Sequence, residues 1–339
     1  MKRKLVGLGI ISLFTIVAGV SIGSVFISPR DVIAIFGHRL FGVTLPEDVA
    51  PVSVAILWNL RLPRTLLAFL VGAAVSVSGA VMQSVLRNPL ASPFMLGVSA
   101  GASLGAGLVI LLGLTLPLAS MFALPIVGFA CGLAVMVLVL AIANRLDRRP
   151  DSHTIILTGM VMSLFINAII MLLSALDREH IQRFIFWQMG SFAMRDWYPV
   201  WILAPLVALG TLFVTRFHAE MDMLTFGEQS ALGRGVNAGR VKWILLMTAA
   251  ALTGGAIAFV GIIGFVDVVV PHIVRRMTGA SHRRVIPVTA LLGGAFMVVC
   301  DILARTIAAP VELPVGAVTA LLGAPFFVYI FFLRRKHSC

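Results

Sequence analysis

The chain has 339 residues, of which 60% are hydrophobic and only 12% charged. A soluble domain carries about 25% charged residues, so a water-soluble globular fold is excluded. The net charge of +12 would suit a polyanion, but its placement along the chain, traced below, argues against nucleic acid.

Apolar runs of about 20 residues recur from end to end, each able to cross a hydrocarbon core of roughly 30 Å. They are continuous rather than alternating, which predicts helices and not a β-barrel. The chain reads as an all-α polytopic membrane protein, one domain over residues 1–339, with about ten transmembrane helices. The spans are placed near 5–27, 64–86, 93–113, 121–144, 153–174, 197–217, 241–265, 268–278, 284–307 and 315–333.

The first follows the basic segment MKRK. Its apolar run is too long for a signal peptide and shows no small-residue cleavage site. Residues 28–63 form a long connection, and Arg61-Leu62-Pro63-Arg64 introduces span 2. Past Gln83, the segment Arg87-Asn88-Pro89 and then Pro93 break the apolar pattern. Pro89 is read as ending span 2 and Pro93 as opening span 3, since proline fits a first helical turn but not an interior. Gly97, Gly101 and Gly105 follow and allow close helix packing. Residues 175–196 carry apolar and aromatic residues at helical spacing, which predicts a short amphipathic helix. Trp187, Trp197, Tyr198 and Trp201 would join an interfacial aromatic belt. The longest connection on the other side, 218–240, has a helical stretch around 223–232 and then Gly233, Gly235 and Gly239, which can stop a helix. Asp267, before the short eighth span, is read as a helix cap, with contact to a basic or metal-bearing substrate as the alternative. Asp301 and Arg305 lie four apart on one helical face and pair locally, as charges inside a span require.

An even number of spans puts both termini on one side. With that side cytoplasmic, 18 of the 26 basic residues lie inside, and the positive-inside rule accounts for the skew. Gly72-Ala73, Gly79 and Pro89 are echoed by Gly255-Ala256, Gly261 and Pro271. The echo predicts an inverted repeat of spans 2–5 and 7–10, a common transporter device. Cys131, Cys300 and Cys339 and the scattered histidines form no disulfide framework or metal motif, so neither metal nor cofactor is predicted. A G-x-x-x-x-G-K-[ST] loop is missing from the sequence, so ATP would have to be handled by a separate chain. No nucleophile–base set is visible, and the chain is read as a non-enzyme.

Residues 60–105, LRLPRTLLAFLVGAAVSVSGAVMQSVLRNPLASPFMLGVSAGASLG, closely resemble the FecCD-type permeases, as do FWQMGSF, LTFGEQSALGRGV, GIIGFVDVVVPHIVRRMTG, DILAR and ELPVGAVTALLGAPFFVYIF, in family order. These are membrane subunits of ABC importers for iron–siderophore complexes, haem and vitamin B12. The resemblance implies a ten-span permease in the cell inner membrane with both termini cytoplasmic. It implies a homodimer, or a dimer with a paralogue, two ATPase subunits, and a periplasmic or lipid-anchored binding protein. Leu224, Gly227, Glu228, Ala231 and Gly235 match the segment that couples to the ATPase, where Phe226 and Arg234 depart from the pattern. A short helix on the periplasmic side, within 175–196, belongs to the same picture. Arg61, Arg64 and Arg305 fall where the family receives acidic residues of the binding protein. The other reading is that Arg61 and Arg64 anchor the interface and Arg305 only neutralises Asp301. Arg87, Asn88 and Pro89 form the inner turn motif. An iron–siderophore complex ranks ahead of haem and vitamin B12 by frequency in the family. The rival is a stand-alone secondary transporter, which would need ionisable residues deep in its spans, with Asp301 as the candidate.

Overall fold

The computed structural model describes residues 2–23, 27–46, 49–114, 122–147, 151–177, 179–193 and 196–336, with side chains from 7 to 328. Arg148, Arg149, Cys339 and the basic side chains at both chain ends lie outside the described residues. Among the described residues every regular element is a helix. In chain order these are α1 (Lys2–Ser21), α2 (Pro29–Phe41), α3 (Pro51–Val85), α4 (Val98–Ile110), α5 (Ala123–Leu146), α6 (Ser152–Leu176) and α7 (Ile181–Gln188). They continue with α8 (Trp197–Arg216), α9 (His218–Thr225), α10 (Glu228–Leu232), α11 (Ala238–Val260), α12 (Val266–Thr278), α13 (His282–Thr306) and α14 (Val315–Lys336). Helices α3, α5, α6, α8, α11 and α13 are long and apolar enough to cross a membrane, and α1, α4 and α14 contain shorter apolar stretches. With α12 they fill the ten expected positions.

Helix α3 is the central post, buried along most of its length. Small residues let its neighbours close on it, as packing in lipid favours. A Cβ on Gly72 would lie 2.2 Å from the Gly293 carbonyl oxygen of α13, and one on Gly79 would lie 1.9 Å from the Asp267 carbonyl oxygen of α12. Ser78 Oγ donates to the Ala249 carbonyl of α11 at 2.9 Å. By contrast α6 turns Leu164, Phe165, Met171 and Leu172 outward, and α8 turns Leu209 and Leu212 outward. Gly79→Ala is therefore expected to destabilise the fold by about 1–3 kcal/mol through overpacking. Thermal unfolding in detergent checks this, and an unchanged midpoint would contradict the close approach of α3 and α12.

The sequence of a long buried helix, a 13-residue helix and two long helices occurs twice, as α3–α6 and as α11–α14. The half-length members α4 and α12 each follow a non-helical stretch. Gly97 (φ +85°) precedes α4 and Phe265 (φ +69°) precedes α12, both left-handed. Pro93 was expected to open span 3, but the helix starts at Val98. Two prolines four residues apart and a left-handed Gly97 hold 88–97 in turns, with Asn88 Oδ1 accepting from the Leu90 N–H at 2.9 Å.

The 28–63 connection is more ordered than expected. It contains α2, and α3 begins at Pro51 rather than near 64. Pro63 lacks an N–H, and a π-type turn at Ile56–Arg61 carries the helix past it, with the Leu62 N–H bonding Leu57. The 218–240 connection holds two short helices, α9 and α10, instead of one. Gly227 (φ +112°) separates them, in a conformation that glycine tolerates. Helix α7 forms within 175–196 as expected.

The end of α1, the 61–64 stretch of α3 and the 307–314 turn meet at one end of the bundle, the arginine end. The 218–237 segment lies at the opposite, loop end. Helix α1 finishes at the arginine end and α14 starts there, so both chain ends point to the loop end.

Candidate functional site

At the arginine end, Arg64 and Arg305 share the buried Asp301, Arg64 also holds Glu312, and Arg61 lies beside them on backbone carbonyls. Arg64 Nε donates to Asp301 Oδ1 at 3.0 Å, and its Nη2 lies 2.9 Å from the same oxygen. Its Nη1 donates to both Glu312 oxygens, at 2.8 and 3.0 Å. Asp301 is fully buried, Arg64 is 12% exposed and Glu312 is 41% exposed. Arg305 Nε lies 3.5 Å from Asp301 Oδ2, and its Nη2 donates to the Gly19 carbonyl. Arg61 Nη1 donates to the carbonyls of Val20 and Ser21 at 3.2 and 2.9 Å. Those two carbonyls are at the end of α1, where the last turn leaves acceptors without helical donors.

The expected Asp301–Arg305 pair is present, but Arg64 is the closer partner of Asp301. Arg61 and Arg305 are buried and tie α1 to the bundle. Arg64 carries the cluster to the surface, paired with Glu312. Three positive and two negative side chains leave the cluster itself with an excess of one positive charge. Near it, Trp197 stacks on Trp201 and meets Trp58 at a 45° tilt, both at 5.8 Å between ring centroids, and the Trp197 indole donates to the Trp58 carbonyl.

At the loop end, Glu228 binds Lys242 of α11 and lies 3.9 Å from Arg87. Thus the 87–89 turn and the 224–235 segment, far apart in sequence, meet through one carboxylate. Arg87 has φ +48°, uncommon for a residue with a side chain. Leu224 and Ala231 are not on an outlying loop: both are buried in the main core. Gly227 and Gly235 take positive φ, as their turns require. What α9–α10 offers outward is Phe226 (77% exposed) and Leu232 (47% exposed), with Arg234 also exposed. Beside them a cleft of about 500 Å³ is lined by Asn144, Ile155, Glu228, Gly235, Lys242 and Trp243.

Between the two ends lies α12. Pro271 has no N–H to give the Asp267 carbonyl four residues back. Gln83 of α3 supplies the missing donor, its Nε2 reaching Asp267 O at 3.1 Å. Asp267 does not cap the helix. The cap position is Phe265, and the Asp267 carboxylate in the first turn accepts from Ser92 Oγ instead. Asn88 and Pro89 shape the turn that presents Ser92 there.

Sequence reasoning missed Lys242, Glu312, Gln83, Ser84, Asp222, Arg275 and His282. Pro271 was the available signal for Gln83, because a proline four residues after Asp267 leaves its carbonyl needing a donor.

The profile of the FecCD transport family matches residues 10–333. An uncharacterised ABC transporter permease protein of Bacillus subtilis, YvrB, is 41% identical over 95% of this chain and 91% of its own length. The Fe(3+)-citrate import system permease protein YfmE of the same organism is 35% identical, covering 99% of this chain and 97% of its own. Among solved structures, one described as an inward-facing conformation of a metal-chelate type ABC transporter superposes with a TM-score of 0.85. It is 28% identical and covers 98% of this chain and 99% of its own.

Proposed function

This chain belongs to the FecCD transport family and is the membrane permease subunit of an ABC importer, and from that premise we propose how its two ends divide the work. The loop end faces the cytoplasm and takes the ATPase, through Phe226 and Leu232 on the α9–α10 segment. The arginine end faces outward and takes the carboxylates of a substrate-binding protein at Arg64, with Arg61 and Arg305 bracing it from below. A surface arginine suits that task because its fork holds a carboxylate by two parallel bonds. Both chain ends are then cytoplasmic, in keeping with the positive-inside distribution of charge. The chain works as a dimer, with a second copy of itself completing the pathway.

The cargo is an iron(III) chelate, a class supported by the names of YfmE and the metal-chelate transporter above. One observation carries the functional reading: a surface-reaching arginine cluster and an exposed apolar ridge stand at opposite ends of one helical bundle. The stand-alone secondary transporter is not favoured. Its candidate coupling residue, Asp301, is already neutralised by Arg64 and Arg305.

The test is uptake of ferric citrate, haemin and cobalamin by vesicles holding the permease with its cognate ATPase and binding protein. Uptake of the iron chelate that needs the ATPase supports the reading. Uptake driven by an ion gradient without the ATPase would overturn the importer mechanism, and preference for haemin or cobalamin would overturn the cargo.

A further inference from the structure

An unbroken line of side-chain hydrogen bonds runs from the loop end into the buried start of α12. It begins at Asp222 on α9. Asp222 Oδ1 accepts from the His282 backbone N–H at 2.9 Å and also contacts the ring Nδ1. Asp222 Oδ2 accepts from Ser281 Oγ at 3.4 Å. The other ring nitrogen, Nε2, contacts Ser84 Oγ on α3. Ser84 Oγ in turn accepts from Arg275 Nη2 of α12 at 2.9 Å, and the same nitrogen donates to the Ala80 carbonyl at 3.1 Å. Arg275 Nη1 donates to Gln83 Oε1. Gln83 Nε2 then donates to the Asp267 carbonyl that Pro271 leaves open, and Asp267 binds Ser92.

The ring of His282 joins Asp222 of α9 to Ser84 of α3 in this line. With Nδ1–H given to Asp222, Nε2 can accept the Ser84 hydroxyl proton. With both nitrogens protonated, Nε2–H donates to Ser84, whose own proton goes to the Ala80 carbonyl at 2.7 Å. Either proton state keeps the line closed. His282 is 1% exposed, so water does not substitute for these partners.

We propose that Asp222 and His282 are positioning residues that tie the ATPase-facing segment to the broken span α12. A shift of α9 is thereby passed through Ser84, Arg275 and Gln83 to the contact between Asp267 of α12 and Ser92 in the turn that precedes α4. The inference rests on reading 218–240 as the ATPase-facing segment. Each part it requires is present: a discrete latch at one end, a chain of hydrogen-bonded polar groups, and a short helix in whose first turn a side chain, Gln83, replaces the ladder donor that Pro271 lacks.

The experiment uses the full chain with its ATPase in nanodiscs, with Cys131, Cys300 and Cys339 replaced by alanine. A reporter cysteine is placed at Gly264, where an added Cβ meets nothing within 4 Å. Maleimide labelling is measured without nucleotide and with ATP plus vanadate. In the parent, the rate is expected to change by about fivefold or more, the lower range of an allosteric coupling. Asp222→Asn and His282→Ala should each reduce that change to less than about twofold while ATP hydrolysis continues. The double variant should be no worse than either single one, because both cut the same link. His282→Asn, able to reach Asp222 but not Ser84, should fail as His282→Ala does. If His282→Ala does not assemble, Ser84→Ala cuts the line one step further on.

A parent with no nucleotide response, or latch variants that respond like the parent, would overturn the proposal. So would multiplying effects in the double variant. Loss of ATP hydrolysis in the parent complex would instead count against the loop end as the ATPase site.

Discussion

Arg64→Glu is expected to abolish binding-protein association and to destabilise the permease as well. The substitution places three carboxylates together and leaves buried Asp301 with Arg305 alone, whose Nε stands 3.5 Å away. Breaking a buried pair by removing one partner costs about 3–5 kcal/mol, because the remaining charge is stranded. Loss of binding by this variant could therefore follow from misfolding. Glu312→Gln separates the two effects. Glu312 is 41% exposed and occupies the Arg64 fork that a partner carboxylate would need, so removing its charge frees the fork without burying anything. Affinity for the binding protein should rise by about tenfold, or about 1.4 kcal/mol, and the gain should shrink as salt is added. The measurement is binding of purified partner to the permease–ATPase complex in nanodiscs at several salt concentrations. An affinity unchanged by Glu312→Gln would leave Arg64 with only a structural role.

Ala231→Pro is expected to stop transport. The Ala231 N–H bonds the Gly227 carbonyl at 3.1 Å, and the Ala231 carbonyl receives the N–H groups of Arg234 and Val236. Proline removes the first of these bonds and costs about 3 kcal/mol or more in a helix interior. Because Ala231 is fully buried in the main core, the damage reaches the α9 and α11 contacts as well as the surface. A milder variant, Phe226→Ser with Leu232→Ser, strips only the exposed ridge. Uptake per ATP hydrolysed should fall by about tenfold or more in both variants, a coupling loss of about 1.4 kcal/mol. The folded yield should stay normal only in the milder one. Normal uptake by the double serine variant would place the ATPase contact elsewhere.

The spans were legible because nothing else in a sequence looks like continuous apolar runs of bilayer length. Their irregularities were harder to read. Pro93 carries a helix-start signal, yet Gly97 four residues later takes a left-handed conformation that defers the helix to Val98. Two local cues competed, and the backbone geometry of the glycine decided. Asp301 and Arg305 could be paired from spacing alone. Arg64 could not, since 237 residues separate it from Asp301 and 248 from Glu312. The resemblance to a family pointed to Glu228, but not to its hold on Lys242 and Arg87, which depends on how α3 and α11 lie side by side. Gln83 stood out as a polar residue in an apolar helix. Its task becomes clear only when Pro271 is placed opposite it.

The half-length spans also bear on how the chain enters the membrane. A helix of 13 residues is about 20 Å long at 1.5 Å per residue, short of a hydrocarbon core of roughly 30 Å. Helix α12 also carries Asp267, Arg275 and Arg276, each costly in lipid on its own. As a free segment it has no reason to leave water or the translocon. Its polar groups find partners on α3, where Gln83, Ser84 and the Ala80 carbonyl stand ready, and at Ser92 in the turn that follows. Biogenesis must therefore retain the newly made α12 until it meets a helix synthesised nearly two hundred residues earlier, so that insertion of this span is itself a tertiary folding step.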